Sequence, residues 1–318
     1  MRDPDTDTEL QLPRNPGVEG LGFRGYRGEE DIPAMAELER IVNASVGNTE
    51  VWSEADWRNE MRHIPNVDPR REYLQAWVGD RLVAKSLVNW ADTADGVRHY
   101  RSLGMVHPDW RRRGIGSAML ERNETRLRQL AATHEHAHPP VLITWLEDGD
   151  IGGHAMFAAR GYHKVRVYHH MLRPDMEQIE LPPLAEGLEV REATEEDLPR
   201  IWDALVEAFR DHFGGHDTSP ESRQAWLDDP ARDTRLWAVA FDGDEVAAGV
   251  LGYIMPDENE AHGYRRGWTD PVFTRRPWRR RGLARALLGR CLLLLREAGM
   301  TSAQLDVDTE NAADALTL

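Results

Sequence analysis

Trp110-Arg111-Arg112-Arg113-Gly114-Ile115-Gly116-Ser117-Ala118-Met119-Leu120 is an Arg/Gly-rich turn that runs into an apolar-periodic stretch. The same arrangement returns as Trp278-Arg279-Arg280-Arg281-Gly282-Leu283-Ala284-Arg285-Ala286-Leu287-Leu288. Two long copies indicate a tandem duplication rather than a solenoid, whose units are short and many. The small residues Gly114 and Gly116, or Gly282 and Ala284, let backbone N–H groups approach a ligand closely. The helix that each turn opens adds its free N–H groups and the positive end of its dipole, so each turn suits a phosphate. Two nucleotide-binding patterns are excluded. A Walker A loop needs a Lys that neither copy has, and a dinucleotide fingerprint needs a third small residue where Met119 stands.

Outward from the turns, the flanking segments match in pairs. Gly28 to Pro33 opens a helix with Ile32, Met35, Leu38 and Ile41 on one face, and Thr194 to Pro199 opens its counterpart with Leu198, Ile201 and Leu205. A hairpin follows in each copy. One runs from Tyr73 to Val78, through Gly79-Asp80, to Leu82–Trp90; the other from Leu236 to Phe241, through Asp242-Gly243-Asp244, to Val246–Ile254. A further strand leads into each turn, Tyr100–Val106 and Trp268–Thr274, and one more follows the helix, Val141–Leu146 or Ala303–Val307. The order β–α–β–β–β–α–β is a mixed α/β sandwich. The first copy continues through a helix and turn, Ala155 to His163, into a closing strand, Val165 to Leu172, whereas the second stops at Leu318 and reads as truncated, without its last helix and strand. The expected organisation is a disordered tail over 1–20, a first domain over 21–175, a Pro-rich linker over 176–187 and a second domain over 188–318.

The pattern Arg-x-x-Gly-x-Gly/Ala, present as Arg111-x-x-Gly114-x-Gly116 and Arg279-x-x-Gly282-x-Ala284, resembles the turn with which the GNAT superfamily of N-acetyltransferases holds the pyrophosphate of acetyl-coenzyme A. The resemblance covers both copies and implies an α/β fold (an α+β mixed sheet) of two tandem GNAT domains. It implies cofactor contacts at Met105, Val106, Arg111, Arg112, Arg113, Gly114, Ile115, Gly116 and Ser117, and at Phe273, Thr274, Arg279, Arg280, Arg281, Gly282, Leu283, Ala284 and Arg285. In the resembled family, backbone groups of the strand before the turn meet the pantetheine and the oxyanion; here these are Met105-Val106 and Phe273-Thr274. Asn311 matches the family's Asn between the last strand and last helix, and it also reads as a helix N-cap. Its position in the first copy is Gly149, which favours the second domain as the catalytic one. Asp270, on the strand into the second turn, is the candidate base, and equally a strand-end residue before Pro271. His212, Phe213 and His216 fall where related enzymes build acceptor-site walls.

The implied activity is transfer of an acetyl group from acetyl-CoA to a primary amine of a small molecule, by direct attack in a ternary complex. The two-copy layout is shared with mycothiol synthase, which acetylates an amine on a cysteinyl-glycoside thiol precursor. The alternative from another class is a non-catalytic acyl-CoA-binding or regulatory protein. The sequence names neither the acceptor nor the oligomeric state.

Composition agrees with this reading. The 318 residues carry a net charge of −16, which argues against nucleic acid or an anionic membrane surface as partner. The single cysteine, Cys291, allows no internal disulfide, suits a reducing cytoplasm and lies on the apolar stripe of its helix, where a buried structural thiol is expected. The acidic N-terminus lacks the apolar core of a signal peptide. His134-Glu135-His136-Ala137-His138 has no partner cluster at ligand spacing and reads as a solvated loop rather than a metal site, as does His169-His170.

Overall fold

The computed structural model describes residues 12–310 except 65, 93–96, 136–137 and 215–216. In chain order the elements are β1 (Leu21–Gly25), α1 (Ile32–Val46), α2 (Glu54–His63), α3 (Pro69–Glu72), β2 (Tyr73–Val78), β3 (Arg81–Asp92), β4 (Arg98–Val106), α4 (Ile115–Ala132), β5 (Val141–Ile143), α5 (Ile151–Ala158) and β6 (Tyr168–Arg173). Then follow β7 (Glu189–Arg191), α6 (Leu198–Ala208), α7 (Pro220–Leu227), β8 (Ala238–Asp242), β9 (Glu245–Ile254), α8 (Pro256–His262), β10 (Arg266–Thr274), α9 (Leu283–Glu297) and β11 (Ser302–Asp308). They form two sheets, ordered β1-β2-β3-β4-β5 and β6-β11-β10-β9-β8-β7. All neighbours are antiparallel except β4 with β5 and β10 with β11.

The duplication seen in the sequence is a duplication of physical devices. Both hairpins turn on a left-handed glycine, Gly79 (φ 60°) and Gly243 (φ 57°), a conformation that costs glycine no Cβ clash. Each first helix carries a proline in its opening turn, where the missing N–H costs no hydrogen bond. Before each of these helices a buried aspartate receives both arms of an arginine from the first strand: Arg24 donates to Asp31 at 2.6 and 2.8 Å, and Arg191 to Asp197 at 2.7 and 2.8 Å. The Arg191 hydrogen bonds hold Asp197 well below the usual carboxylate range. The phosphate helices bury the stripe that their periodicity predicts, Ile115, Ala118, Met119 and Leu127 in α4 and Leu283, Leu287, Cys291 and Leu295 in α9. Burial pushes the Cys291 thiol up to about 12, so it is an inert core group.

The chain divides into two compact units, residues 1–163 with 219–228, and residues 164–218 with 229–318. This corrects the boundaries expected from sequence in three ways. The strand foreseen as closing the first sheet is β6, and it pairs instead with β11 of the second sheet, from Ala303↔Arg173 to Asp308↔Tyr168. The second sheet therefore has a closing strand, taken from the chain before it. The helix α7 belongs to the first unit, where Asn59 of α2 donates to the Ala225 carbonyl at 2.9 Å and His63 lies 3.0 Å from Asp228. The expected linker is packed along α9: Met176 is buried, and a Cβ on Gly289 would come within 2.2 Å of the Glu180 carbonyl oxygen. Of the expected disordered tail, residues 12–20 are described, and Leu12 and Val18 pack on the Phe23–Ile115 cluster.

Candidate active site

Each phosphate turn is built the same way. A single 3-10 turn, Pro108–Trp110 or Arg276–Trp278, ends in an extended arginine, Arg111 (ψ 160°) or Arg279 (ψ 157°). Two left-handed residues follow, Arg112 (φ 63°) and Gly114 (φ 84°) in the first unit, Arg280 (φ 62°) and Gly282 (φ 73°) in the second. Such turns aim successive backbone N–H groups into a concavity that takes an anion, and the unpaired N–H groups of the helix start line the same spot. Among the described residues, a Cβ on Gly282 would meet nothing within 4 Å, whereas one on Gly114 would lie 3.8 Å from Pro16. The first turn is bordered by Pro16 of the N-terminal segment. Both can hold a diphosphate.

The arginines of the motif have separate tasks. Arg279 donates from Nε to the Thr274 carbonyl, from one terminal nitrogen to Asp211 and from the other to the Ala208 carbonyl, at 3.1, 2.7 and 3.2 Å. Arg111 likewise donates to the Val106 carbonyl at 3.1 Å and to the Ser45 hydroxyl at 2.7 Å. These first arginines tie the strand end to the turn and to the end of the first helix, which leaves the backbone to meet the anion. Arg285 is engaged by Glu180 at 2.5 Å. Arg112, Arg113, Arg280 and Arg281 are exposed at the turn and add positive field there.

The strands leading into the turns part from their parallel neighbours. β4 pairs β5 only from His99↔Val141 to Arg101↔Ile143, and β10 pairs β11 only from Arg266↔Ser302 to Trp268↔Gln304. Met105-Val106 and Phe273-Thr274 therefore lie beyond the pairing, beside an opening in each sheet. In the second unit β10 bulges between Thr269 and Val272, around a cis Asp270–Pro271 bond. Desolvation, with the charge of Asp306 added, lifts the Asp270 carboxyl to about 7. Counting back equally from Val106, the first unit has Ser102 there, buried and accepting a hydrogen bond from Asn123 at 3.1 Å.

The units differ again at the neighbouring strand. Lys85 faces Met105 in register, and its ammonium is buried against Glu39 and 3.6 Å above the Trp57 ring. In the second unit Gly249 faces Phe273, and a Cβ there would come within 2.5 Å of that ring. At Gly149, the position matching Asn311, a Cβ would stand 2.1 Å from the Val46 carbonyl oxygen. The first unit admits no side chain at that position.

Two of the three expected acceptor-wall residues gather with residues that sequence reasoning passed over. The His212 ring lies 5.2 Å from Phe209 and 6.1 Å from Tyr168 of β6, and Arg166 sits 4.7 Å over Phe213. His170, read from sequence as solvated loop, lies in β6 opposite Asp306, with its Nδ1 2.6 Å from the carboxylate. Tyr168 and His170, two residues apart in β6, lie on one strand face. His134 is also no solvated loop residue: its Nδ1 lies 2.8 Å from the Tyr100 hydroxyl and its ring 4.7 Å from Trp90. His216 and Asn311 lie outside the described residues. Among the described residues no cluster of His, Cys, Asp or Glu is placed to hold a metal, and no helix is long and apolar enough to cross a membrane.

A mixed sheet with a left-handed glycine turn at the head of its central helix occurs twice in the chain. The chain belongs to the acetyltransferase (GNAT) family, whose family model matches it twice, over residues 35–137 and 198–316. Two proteins named mycothiol acetyltransferase are similar to it: that of Salinispora arenicola (strain CNS-205) is 31% identical over 228 residues, and that of Salinispora tropica 29% over 211. Each alignment takes in 65% of this chain and 64% of the relative, so the chain spans less than two thirds of these relatives' length. Among solved structures, a GCN5-related N-acetyltransferase from Sphaerobacter thermophilus superposes with a TM-score of 0.67 at 22% identity, over 94% of this chain and 90% of that one. A tandem GNAT protein from the clavulanic acid biosynthesis pathway gives 0.58 at 16%, over 92% and 91%. These likenesses show the fold.

Proposed function

We propose that the second unit transfers an acetyl group from acetyl-CoA to the primary amine of a small molecule, by direct attack while both are bound. One observation carries this reading: the left-handed turn at Gly282 and the carboxylate of Asp270 lie on the same strand-turn-helix segment. The first unit has the turn without the carboxylate. Acetyl-CoA supplies the activated thioester carbonyl when bound. The backbone N–H groups around Gly282, Leu283 and Ala284 take the diphosphate, with Arg280 and Arg281 adding positive field. Backbone groups of Phe273 and Thr274 meet the pantetheine and the developing oxyanion. Asp270 takes a proton from the acceptor's ammonium, the free amine so formed attacks the thioester carbonyl, and the C–S bond breaks to release coenzyme A as its thiolate; His212 and Phe213 form part of the acceptor wall. Asn311 helps to organise the reacting centre. In the first unit Met105, Val106 and the turn from Arg111 to Ser117 form a second cofactor site.

A base must be unprotonated to act. Activity should therefore rise with pH through about 7, where Asp270 loses its proton. Calorimetric titration of acetyl-CoA tests the cofactor sites, with Gly116→Glu and Ala284→Glu beside the parent chain. Both positions lie in the first helical turn and neither is left-handed, so each variant adds an anion at the diphosphate site without backbone strain. Each should weaken its own site at least about tenfold. A folded protein that binds no acetyl-CoA would overturn the proposal. Thiol release with a panel of amines, compared with Asp270→Asn, then tests turnover. A cysteinyl-glycoside amine heads that panel because of the mycothiol acetyltransferase relatives. Binding without turnover on any amine would favour a non-catalytic acyl-CoA-binding role.

A further inference from the structure

The second sheet takes its last strand from the chain that precedes it, and that strand sets His170 against Asp306. Asp270 and Asp306 each stand two residues past Trp268↔Gln304, the last paired position of β10 and β11. Below them Arg266 donates to the Gln304 side chain at 2.9 Å, and Trp268 donates to Glu258 at 3.1 Å. These contacts fix one sheet face, on which strand alternation sets Gln304, Asp306 and Asp308. On the far side of β11, the register puts Leu172, His170 and Tyr168 opposite those three. His170 reaches Asp306 at 2.6 Å, and Arg166 reaches Glu310 at 2.7 Å and lies 3.8 Å from Asp308.

We propose that His170 is a positioning residue of the second unit's transfer site: held on β6, it orients and partly neutralises Asp306, and so governs when Asp270 can take the acceptor's proton. This rests on the proposed role of Asp270. Two carboxylates facing one opening disfavour each other's ionisation, and a cation on one relieves the other. Burial does most to raise the Asp270 pKa, and the charge of Asp306 adds to it. Among the described residues, other groups near the pair have partners of their own. β9 presents Leu251 opposite the bulge, Glu258 of α8 accepts from Tyr264 and Trp268, and Asp308 has Arg166 beside it. Tyr168 lies next to Asp308 and His212. His170 is the imidazole placed on Asp306.

The arrangement gives the two members of the pair opposite effects. Asp306→Asn removes the repelling charge and should lower the Asp270 pKa by about one unit. His170→Gln keeps the Asp306 charge, removes its counter-charge and should raise the Asp270 pKa by roughly half a unit. The double variant should behave as Asp306→Asn does, and His170→Arg, cationic at every relevant pH, should keep Asp270 at or below its parent value. The measurement is an NMR titration of the full chain carrying carboxyl-labelled aspartate, with Asp270→Asn assigning the resonance. It needs no acceptor. Shifts of the same sign in Asp306→Asn and His170→Gln, or a His170→Gln titration equal to the parent's, would overturn the role of His170. The spectra report folding of each variant directly. Acetyl-CoA calorimetry on the same samples keeps the two ideas apart: absent binding sinks the functional reading, while the titration decides the coupling by itself.

Discussion

At the scale of single residues, the turn is held by side chains that never need to touch the ligand. Asp211 receives Arg276 and, at 2.7 Å, Arg279, so two arginines of the second turn share one carboxylate. These arginines lower the Asp211 pKa to about 2, from an ordinary 3.8. A depressed carboxylate stabilises the fold above its unfolded pKa and loses that contribution as pH falls through its folded pKa. Asp211→Asn should therefore lower the urea midpoint by a constant amount above about pH 5, and the gap should close between about pH 4 and pH 2. The side chain is 39% exposed, so screening limits the effect to no more than about 1 kcal/mol, and added salt should shrink it. A gap that stays constant down to pH 2 would mean that the pair contributes through packing rather than charge.

At the scale of elements, the two copies diverge where helices close on the site. The chain before α5 passes the end of α1 so tightly that Gly149 has no room for a Cβ beside the Val46 carbonyl. Gly149→Asn, which would restore the second copy's residue, must therefore push backbone apart, at a cost of about 1–3 kcal/mol. A thermal melt reads this as a loss of several degrees; an unchanged melting temperature would show that the loop before α5 yields freely. The same comparison shows what could be read from sequence. The turns, hairpins and phosphate helices were legible because each rests on local chemistry: left-handed glycines, an apolar stripe, a proline in the first turn. The destinations of β6 and α7 were not. Strand pairing depends on which edge is open, and Tyr168 to Arg173 carries the same alternation whichever sheet it joins. Asp270 was legible as a position, whereas Asp306 and His170 became site residues only once register brought them to it.

At the scale of the whole chain, the second unit begins before the second sequence repeat. β6 covers the edge of β11 along six residues, from Tyr168↔Asp308 to Arg173↔Ala303. The segment after it lies on α9: Arg296 and Arg290 each donate at 3.3 Å, to the Met176 and Pro182 carbonyls, and Gly289 accommodates the Glu180 backbone. A chain cut at the repeat boundary, residue 188, would expose the β11 edge and an apolar flank of α9, and bare strand edges recruit other chains. A chain cut at residue 164 keeps both. Each lacks the first unit, against which α7 would pack, so that loss cancels in the comparison. The 164-start chain should elute as a single species and melt cooperatively. The 188-start chain should aggregate, or melt at least about 5 °C lower. Size-exclusion chromatography and circular-dichroism melts of the pair decide this. Equal behaviour would mean that the second repeat is self-sufficient and that β6 is an accessory strand, so the acceptor wall it carries would have to be sought elsewhere.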